Sequence, residues 1–132
     1  MEYQTKDSGK RKEYGTGMVR DTQEGKPDFW LCMPLDVPYK KQMLTRWASL
    51  MERGMSKYGW RNWEKSETPE EMERFKASAF RHFIQWITGE DDEDHGAAVF
   101  FNINAVERLK YKLSKDKGVD IDETNTNNKR QD

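Results

Sequence analysis

The sequence predicts an all-α fold: a small helical bundle of three main helices, with an extended N-terminal arm and a disordered C-terminal tail. Three segments between residues 39 and 113 repeat apolar residues at spacings of three and four, as amphipathic helices do. No alternating strand pattern longer than a few residues appears in the sequence. Residues 1–28 and 114–132 are almost bare of aliphatic side chains, so the core has to form between them.

The composition indicates one domain with a modest core. Of the 132 residues, 34% are hydrophobic and 36% are charged, although five Trp, five Tyr and six Phe each bury a large area. Self-association often completes a core of this size, so we expect a homo-oligomer, either a dimer or a tetramer. The net charge of −1 argues against direct binding to duplex nucleic acid. The single cysteine, and the lack of a signal peptide or an apolar run of membrane-spanning length, predict a cytoplasmic protein.

Both ends of the chain are predicted to lie outside the ordered domain. Residues 1–13 are polar and basic and are expected to be disordered. Residues 14–28 contain three glycines and a proline, which is typical of an extended or looped arm. We therefore assign residues 14–113 to one helical domain and residues 114–132 to a second disordered tail.

The first helix is predicted from Tyr39 to Lys57. Gly59 follows it and suits the left-handed conformation that often ends a helix. The periodic apolar residues of this segment are Met43, Trp47, Leu50, Met51 and Met55.

The second helix has the clearest start signal in the chain. Thr68 is a good N-cap, Pro69 suits the first helical position, and Glu71 completes a capping box. Gly89 is expected to end the helix. The predicted buried stripe consists of Met72, Phe75, Ala79, His82, Phe83 and Trp86.

The third helix is predicted to begin near Asp92 to Asp94, because acidic residues favour a helix N-terminus. It is expected to run to about Leu113. Its buried stripe consists of His95, Ala98, Val99, Asn102, Val106, Leu109 and Leu113.

One candidate site lies between the second and third helices. Antiparallel packing of these helices would bring His82, His95 and Asn102 towards one groove, with the acidic turn of residues 90–94 at its mouth. Carboxylates, imidazole and amide are suitable groups for holding Mg²⁺ or Mn²⁺. The alternatives are that His82 is a satisfied core residue and that the acidic turn is a solvated cap. The predicted metal ligands are Glu90, Asp91, Asp94 and His95.

A second candidate site is the basic, aromatic turn of residues 57–63. Lys57 or Arg61 suits a phosphate, Asn62 suits a base or a ribose, and an aromatic face suits base stacking. The alternative is that Trp60 and Trp63 cover the end of the bundle. The predicted nucleotide-binding residues are Lys57, Tyr58, Arg61, Asn62 and Trp63, together with Arg81 and Asn102.

Four blocks of sequence, in the same order, resemble the phage-encoded dATP/dGTP diphosphohydrolase N-terminal domain family. They are T-G-M-V-R-D-T-Q-E-G-K-P (Thr16 to Pro27), K-Y-G-W-R-N-W-E-K (Lys57 to Lys65), A-F-R-H-F-I-Q-W-I-T-G-E-D-D-E-D-H (Ala79 to His95) and A-A-V-F-F-N (Ala97 to Asn102). The resemblance covers about residues 14–113.

The resemblance implies a MazG-like all-α nucleotide pyrophosphohydrolase. Such enzymes are helical, oligomeric and dependent on Mg²⁺ or Mn²⁺, and they split a nucleoside triphosphate into monophosphate and pyrophosphate. They carry E-E-x-x-E on one helix and E-x-x-D on the next, whereas the matching faces here hold Arg81, His82, His95 and Asn102. Either the metal is held differently in this chain, or catalysis is weakened or absent.

The function that the resemblance implies is metal-dependent hydrolysis of dATP or dGTP in phage nucleotide metabolism, in the cytoplasm of the host cell. Glu90, Glu93 or His82 would take the proton from the attacking water. Lys57 and Arg61 would neutralise the triphosphate. The alternative is a non-catalytic phage protein that binds and sequesters a nucleotide.

Overall fold

The computed structural model describes residues 2–116 and 118. The chain divides after Asp36 into two compact units. The first unit holds two short strands, β1 (Arg11–Glu13) and β2 (Val19–Asp21). The second unit holds three helices, α1 (Met43–Tyr58), α2 (Pro69–Ile87) and α3 (His95–Asp116). The all-α prediction with an N-terminal arm is confirmed, with this small sheet as its one addition among the described residues.

The first unit is organised around an antiparallel hairpin. Arg11 pairs with Asp21, and Glu13 pairs with Val19. Gly17 has a φ of 88° in the connecting turn, a conformation that glycine adopts without steric cost. Asp21 accepts hydrogen bonds from the backbone N–H groups of Ser8 and Thr22 and from the Ser8 hydroxyl. These bonds, that of the Ser8 hydroxyl above all, lower the pKa of Asp21 to about 2.

The hairpin corrects the prediction of disorder for residues 1–13, which is wrong for Arg11–Glu13. The strands carry no alternating apolar pattern, because polar contacts stabilise the hairpin instead. Asp7 forms two hydrogen bonds of 2.7 and 2.8 Å with the Arg11 guanidinium. The division after Asp36 also differs from the predicted domain boundary at residue 14, and the hairpin, which spans residues 11–21, crosses that predicted boundary.

The ends of the helices follow the predicted signals. Thr68 and Glu71 form the capping box of α2, and Pro69 is its first residue. Gly89 follows α2 with a φ of 79°, and Gly59 follows α1 with a φ of 99°. The N-terminus of α1 is four residues later than predicted, because Tyr39–Lys41 forms a separate 3-10 turn. Most of the predicted C-terminal tail lies outside the described residues, and residues 114–116 belong to α3.

Helices α2 and α3 pack against each other in antiparallel orientation. Near the start of α2, the Ser66 carbonyl accepts a 2.8 Å hydrogen bond from Arg108, which lies late in α3. Near the end of α2, His82 contacts His95, the first residue of α3. Most of the buried positions lie on α3, where small side chains allow close approach of the helices. The buried apolar residues are Ala97, Ala98, Ala105, Val106 and Leu109.

Two residues of the predicted stripe on α2 lie at the surface. Phe83 is 43% exposed and Trp86 is 56% exposed, whereas His82 is buried. The narrow, alanine-rich face of α3 covers only part of the apolar face of α2, so the remaining large side chains point outwards. None of the helices within residues 2–116 has the length and hydropathy needed to cross a membrane.

Candidate functional site

A groove of about 520 Å³ opens among the three helices and the turn that precedes α3. Arg53 enters it from α1, His82 from α2 and Asn102 from α3. This arrangement confirms that the second and third helices bring His82 and Asn102 to one groove beside the acidic turn. The remaining lining residues are Leu50, Ser78, Asp91, Asp92, Glu93, Asp94, Ala98 and Phe101.

The two histidines of the chain meet directly at the junction of α2 and α3. Nδ1 of His82 lies 2.9 Å from Nδ1 of His95, and both side chains are buried. Nε2 of His95 lies 2.7 Å from a carboxylate oxygen of Asp92. Nε2 of His82 lies 3.4 Å from Nη2 of Arg81. The four residues therefore form a continuous hydrogen-bonded chain.

The proton positions in this chain follow from its two ends. The Arg81 guanidinium only donates hydrogen bonds, so Nε2 of His82 accepts and its ring proton is on Nδ1. The Asp92 carboxylate accepts from Nε2–H of His95, which leaves Nδ1 of His95 as the acceptor for His82. Burial, with a smaller effect of the Arg81 charge, lowers the pKa of His82 and so favours this neutral state. The hydrogen bond from His95 lowers the pKa of Asp92.

Asp94 binds Arg46, so its carboxylate is not free to act as the metal ligand that the sequence predicts. Its two carboxylate oxygens accept hydrogen bonds of 2.6 and 2.9 Å from Arg46 of α1. One of these oxygens also accepts from the backbone N–H of Ala97, as an N-cap of α3 does. Asp94 therefore joins α1 to the start of α3.

Other acidic residues of the turn surround the histidine pair. Ligand atoms of His82, Glu93 and His95 lie within 4.8 Å of one another. A second set with the same spacing comprises Glu90, Asp92 and His95, although Glu90 also accepts a 2.8 Å hydrogen bond from Gln85. Thus the structure brings together Glu90, Glu93, His82 and His95 of the predicted residues. Asp91 lines the groove but belongs to neither set.

The basic, aromatic turn does not line the groove. Arg61 has a left-handed backbone, forms an ion pair with Glu64 and lies over the Trp60 ring. Trp63 packs edge-on against Phe101, with 6.1 Å between ring centroids, so it covers the bundle as the alternative interpretation held. The remaining predicted nucleotide-binding residues of this turn, Lys57, Tyr58 and Asn62, are exposed.

Lys57 is the residue of this turn with an electrostatic link to the groove. Its ammonium lies 5.0 Å from the centre of the Tyr58 ring. Contact with Tyr58 raises the pKa of Lys57, and the negative charge of Glu93 adds to that effect. Lys57 follows Arg53 by one helical turn on α1, so both cations lie on the same side of that helix.

Two residues with a place in the site were missed by sequence reasoning. Arg53 belongs to no motif of the sequence, and only the packing of α1 reveals that it lines the groove. Asp92 was treated as part of the helix start. Its signal was present in the D-x-x-H spacing to His95, which places a carboxylate within reach of an imidazole across a helix N-terminus.

Comparison with known proteins identifies a family. A family model described as "dATP/dGTP diphosphohydrolase, N-terminal" matches residues 16–120. No curated protein matches the chain. No solved structure matches it either. The matched range contains the hairpin strand β2, all three helices and the whole groove.

If Asp94 joins α1 to α3 and caps α3, substitutions at Asp94 should lower the free energy of unfolding in a predictable order. In the presence of EDTA, Asp94→Asn should lower the free energy of unfolding by about 1.5–3 kcal/mol, because it removes a charge-assisted hydrogen bond. Asp94→Ala should lower it by about 0.5–2 kcal/mol more, because alanine also removes the N-cap. Urea unfolding monitored by circular dichroism measures both effects.

The pH dependence provides a check on the same contact. Arg46 lowers the pKa of Asp94, so the stabilisation is complete above the ordinary carboxyl pKa of about 3.9 and is lost as pH falls through the lower folded-state value. The matched control is Glu67→Gln, which removes a surface ion pair with Lys112 and should cost at most about 1 kcal/mol. Equal effects of Asp94→Asn and Glu67→Gln would contradict the assignment.

Proposed function

Because this chain belongs to the dATP/dGTP diphosphohydrolase N-terminal family, we propose that it hydrolyses dATP or dGTP to the monophosphate and pyrophosphate. We place this activity in the nucleotide metabolism of a phage. The observation that carries the proposal is the groove in which a histidine, four acidic side chains and Arg53 converge. Its volume of about 520 Å³ is within the range of small-molecule sites, about 300–1,000 Å³.

The donor groups around the groove fit a divalent cation, and they fit Mn²⁺ better than Mg²⁺, because Mg²⁺ prefers oxygen ligands. Imidazole and carboxylate ligand atoms from His82, Glu93 and His95 are already within 4.8 Å of one another. A bound cation would neutralise phosphate charge and polarise the bond that breaks. Nucleoside triphosphates are strongly anionic, so the acidic turn suits a metal–triphosphate complex better than it suits a free triphosphate.

Arg53 and Lys57 are proposed to bind the phosphate groups. Arg53 lines the groove directly, and Lys57 lies close enough to Glu93 for the two charges to interact. A guanidinium binds two phosphate oxygens in a planar fork, which positions the triphosphate as well as attracting it. This assignment replaces Arg61, whose guanidinium is held by Glu64.

Asp91 is proposed to accept the proton from the attacking water. It lines the groove, and within residues 2–116 no hydrogen bond engages its carboxylate. Of the residues predicted for this role, Glu90 is held by Gln85 and both ring nitrogens of His82 are in contact. Glu93 lies with the histidine pair, where it is better placed to bind a cation.

Two variants with different expected kinetic effects test the proposal. Asp91→Asn should lower kcat by about 10²–10⁴-fold, the usual contribution of a general base, with little change in KM. Arg53→Ala should weaken nucleotide binding about tenfold or more, since a charge-assisted contact contributes about 1.5–3 kcal/mol. Arg53→Lys should restore binding only in part. Pyrophosphate release from dATP and dGTP, with Mg²⁺ or Mn²⁺, measures both parameters.

Arg74→Ala is the matched control, because Arg74 is exposed on α2 and does not line the groove. Its kcat and KM should equal those of the unaltered protein. Unchanged kinetics in both Asp91→Asn and Arg53→Ala would contradict the assignment of this groove.

Nucleotide sequestration without hydrolysis is the second candidate function. The specific observation in its favour is that α2 presents Arg81 and His82 where related pyrophosphohydrolases are expected to carry carboxylates. Tight binding of dATP or dGTP that depends on Arg53, without release of pyrophosphate, would identify this function.

We also propose that a second copy of the chain covers the outer face of α2 and α3. Phe80, Phe83 and Ile103 border an apolar groove there and are 66%, 43% and 51% exposed. Lys110 and Lys76, which line the same groove, are already paired within one copy with Glu107 and Glu73. The patch is therefore apolar in its centre with paired charges at its edge, so a two-fold pair would cover it without setting unpaired like charges together.

This arrangement predicts a homo-oligomer in solution. Light scattering after size exclusion should give at least twice the 15.7 kDa of one chain. Ile103→Glu should shift the mass towards that of a monomer, because it buries an unpaired charge in the interface. Leu31→Glu is the matched control, an exposed apolar residue of the N-terminal unit. A monomeric parent protein would overturn the proposal.

A further inference from the structure

We infer that His82, His95 and Glu93 form a centre selective for a first-row transition-metal ion, with Asp92 as a positioning residue. The inference rests on the proposed function for the role of the ion, but the ion can be bound and measured without any nucleotide. The proposed centre differs from a carboxylate site for Mg²⁺, because two of its three ligands are imidazoles. Imidazole suits ions such as Zn²⁺, Co²⁺, Ni²⁺ and Mn²⁺, whereas Mg²⁺ prefers oxygen.

The spacing of the two imidazoles is that of neighbouring ligands on one ion. Nδ1 of His82 and Nδ1 of His95 lie 2.9 Å apart. Nitrogen ligands at about 2.1 Å from a metal are about 3.0–3.4 Å from each other in octahedral or tetrahedral geometry. If the two rings move apart slightly, one ion can therefore bind both Nδ1 atoms in place of the hydrogen bond between them. A carboxylate oxygen of Glu93 lies within 4.8 Å of a ring nitrogen of each histidine.

Asp92 prepares His95 for this role. The carboxylate accepts the Nε2–H proton at 2.7 Å, so the lone pair of His95 is on Nδ1, the atom that faces His82. Histidines that bind metals commonly donate their other ring N–H to a carboxylate, which orients the ring and makes it a stronger ligand. Asp92 is exposed while His95 is almost fully buried, so the contact also ties the ring to the surface turn.

Arg81 disfavours the binding of a metal ion at the same site. In the metal-free chain its guanidinium donates to Nε2 of His82, which holds the ring proton on Nδ1. When an ion binds Nδ1 of His82, the ring proton moves to Nε2, so no proton is released to solvent. Nε2 then no longer accepts the hydrogen bond from Arg81, and that contact breaks. The positive charge of Arg81 also disfavours a nearby cation. Removal of Arg81 should therefore tighten metal binding, which a purely structural histidine pair would not show.

A structural role alone does not account for the choice of residues. The buried apolar residues of α3 are alanines, a valine and a leucine, which are buried at little desolvation cost. Two buried imidazoles cost more to desolvate than aliphatic side chains of similar size. Glu93 is exposed at the groove, so three protein ligands leave positions on the ion open towards the nucleotide pocket.

The test uses full-length protein without a histidine tag, stripped of metal by a chelator and titrated with Zn²⁺ alone. The chain contains two histidines, so long-range ¹H–¹⁵N imidazole spectra report each ring separately. One equivalent of Zn²⁺ should shift the Nδ1 signals of both rings, and a large excess of Mg²⁺ should leave them unchanged. Histidine signals that do not respond to Zn²⁺ would overturn the inference.

Variants at exposed positions keep the test independent of folding. Calorimetry should show Zn²⁺ affinity reduced at least tenfold by Glu93→Gln and about 10–100-fold by Asp92→Asn. Arg81→Gln should increase the affinity. The matched control, Glu67→Gln, is exposed just before the start of α2 and should bind Zn²⁺ as the unaltered protein does. Equal affinities of Glu93→Gln and the unaltered protein would overturn the assignment of the ligands.

Failure of the inference and failure of the proposed function give different results. Zn²⁺ binding at both rings without release of pyrophosphate from dATP or dGTP would support the metal centre and overturn the hydrolase proposal. Hydrolysis supported by Mg²⁺, together with histidine signals that do not respond to Zn²⁺, would support the hydrolase and overturn the transition-metal centre.

Discussion

The hydrogen bond between His82 and His95 is the interaction on which the groove depends. It joins the last turns of α2 to the first residue of α3, in a core whose apolar members are mostly small. Asp92 fixes the ring of His95, so the turn between the helices is tied to the same contact. Loss of this contact would separate the elements that form two walls of the groove.

A second long-range contact determines where α1 lies. Arg46 binds Asp94 at the start of α3, and this brings Arg53, two turns further along α1, to the groove. The groove thereby combines an acidic turn with a fixed cation. This combination supports the proposal that the groove binds a complex of a divalent cation and a triphosphate, in which positive and negative groups lie side by side. The electrostatics of the site therefore follow from the packing of α1.

The features that depend on neighbouring residues could be predicted from the sequence. The capping box of Thr68 and Glu71 and the end of α2 at Gly89 involve only residues within one helical turn, and the structure has both. The meeting of His82 with the third helix was also predicted, because both helices show a clear 3.6-residue period. The family is identified from sequence blocks and confirmed over residues 16–120.

The features that depend on distant partners could not be predicted. Asp94 looked like a metal ligand because its partner, Arg46, is 48 residues away in the chain. Phe83 fits the apolar period of α2, yet the narrow face of α3 leaves it exposed. The β1–β2 hairpin gave no periodic signal, because polar side chains such as Asp21 hold it together. Each of these outcomes is decided by tertiary packing.

The central claim is that the groove beside the histidine pair binds the metal and the nucleotide together. Crystals grown with Mn²⁺ and a non-hydrolysable dGTP analogue test it directly, because anomalous scattering locates the manganese. The account predicts an anomalous peak bound by His82, His95 and Glu93, with the phosphate groups between that ion and Arg53. A peak bound only by other carboxylates, or an analogue bound outside this groove, would contradict the account.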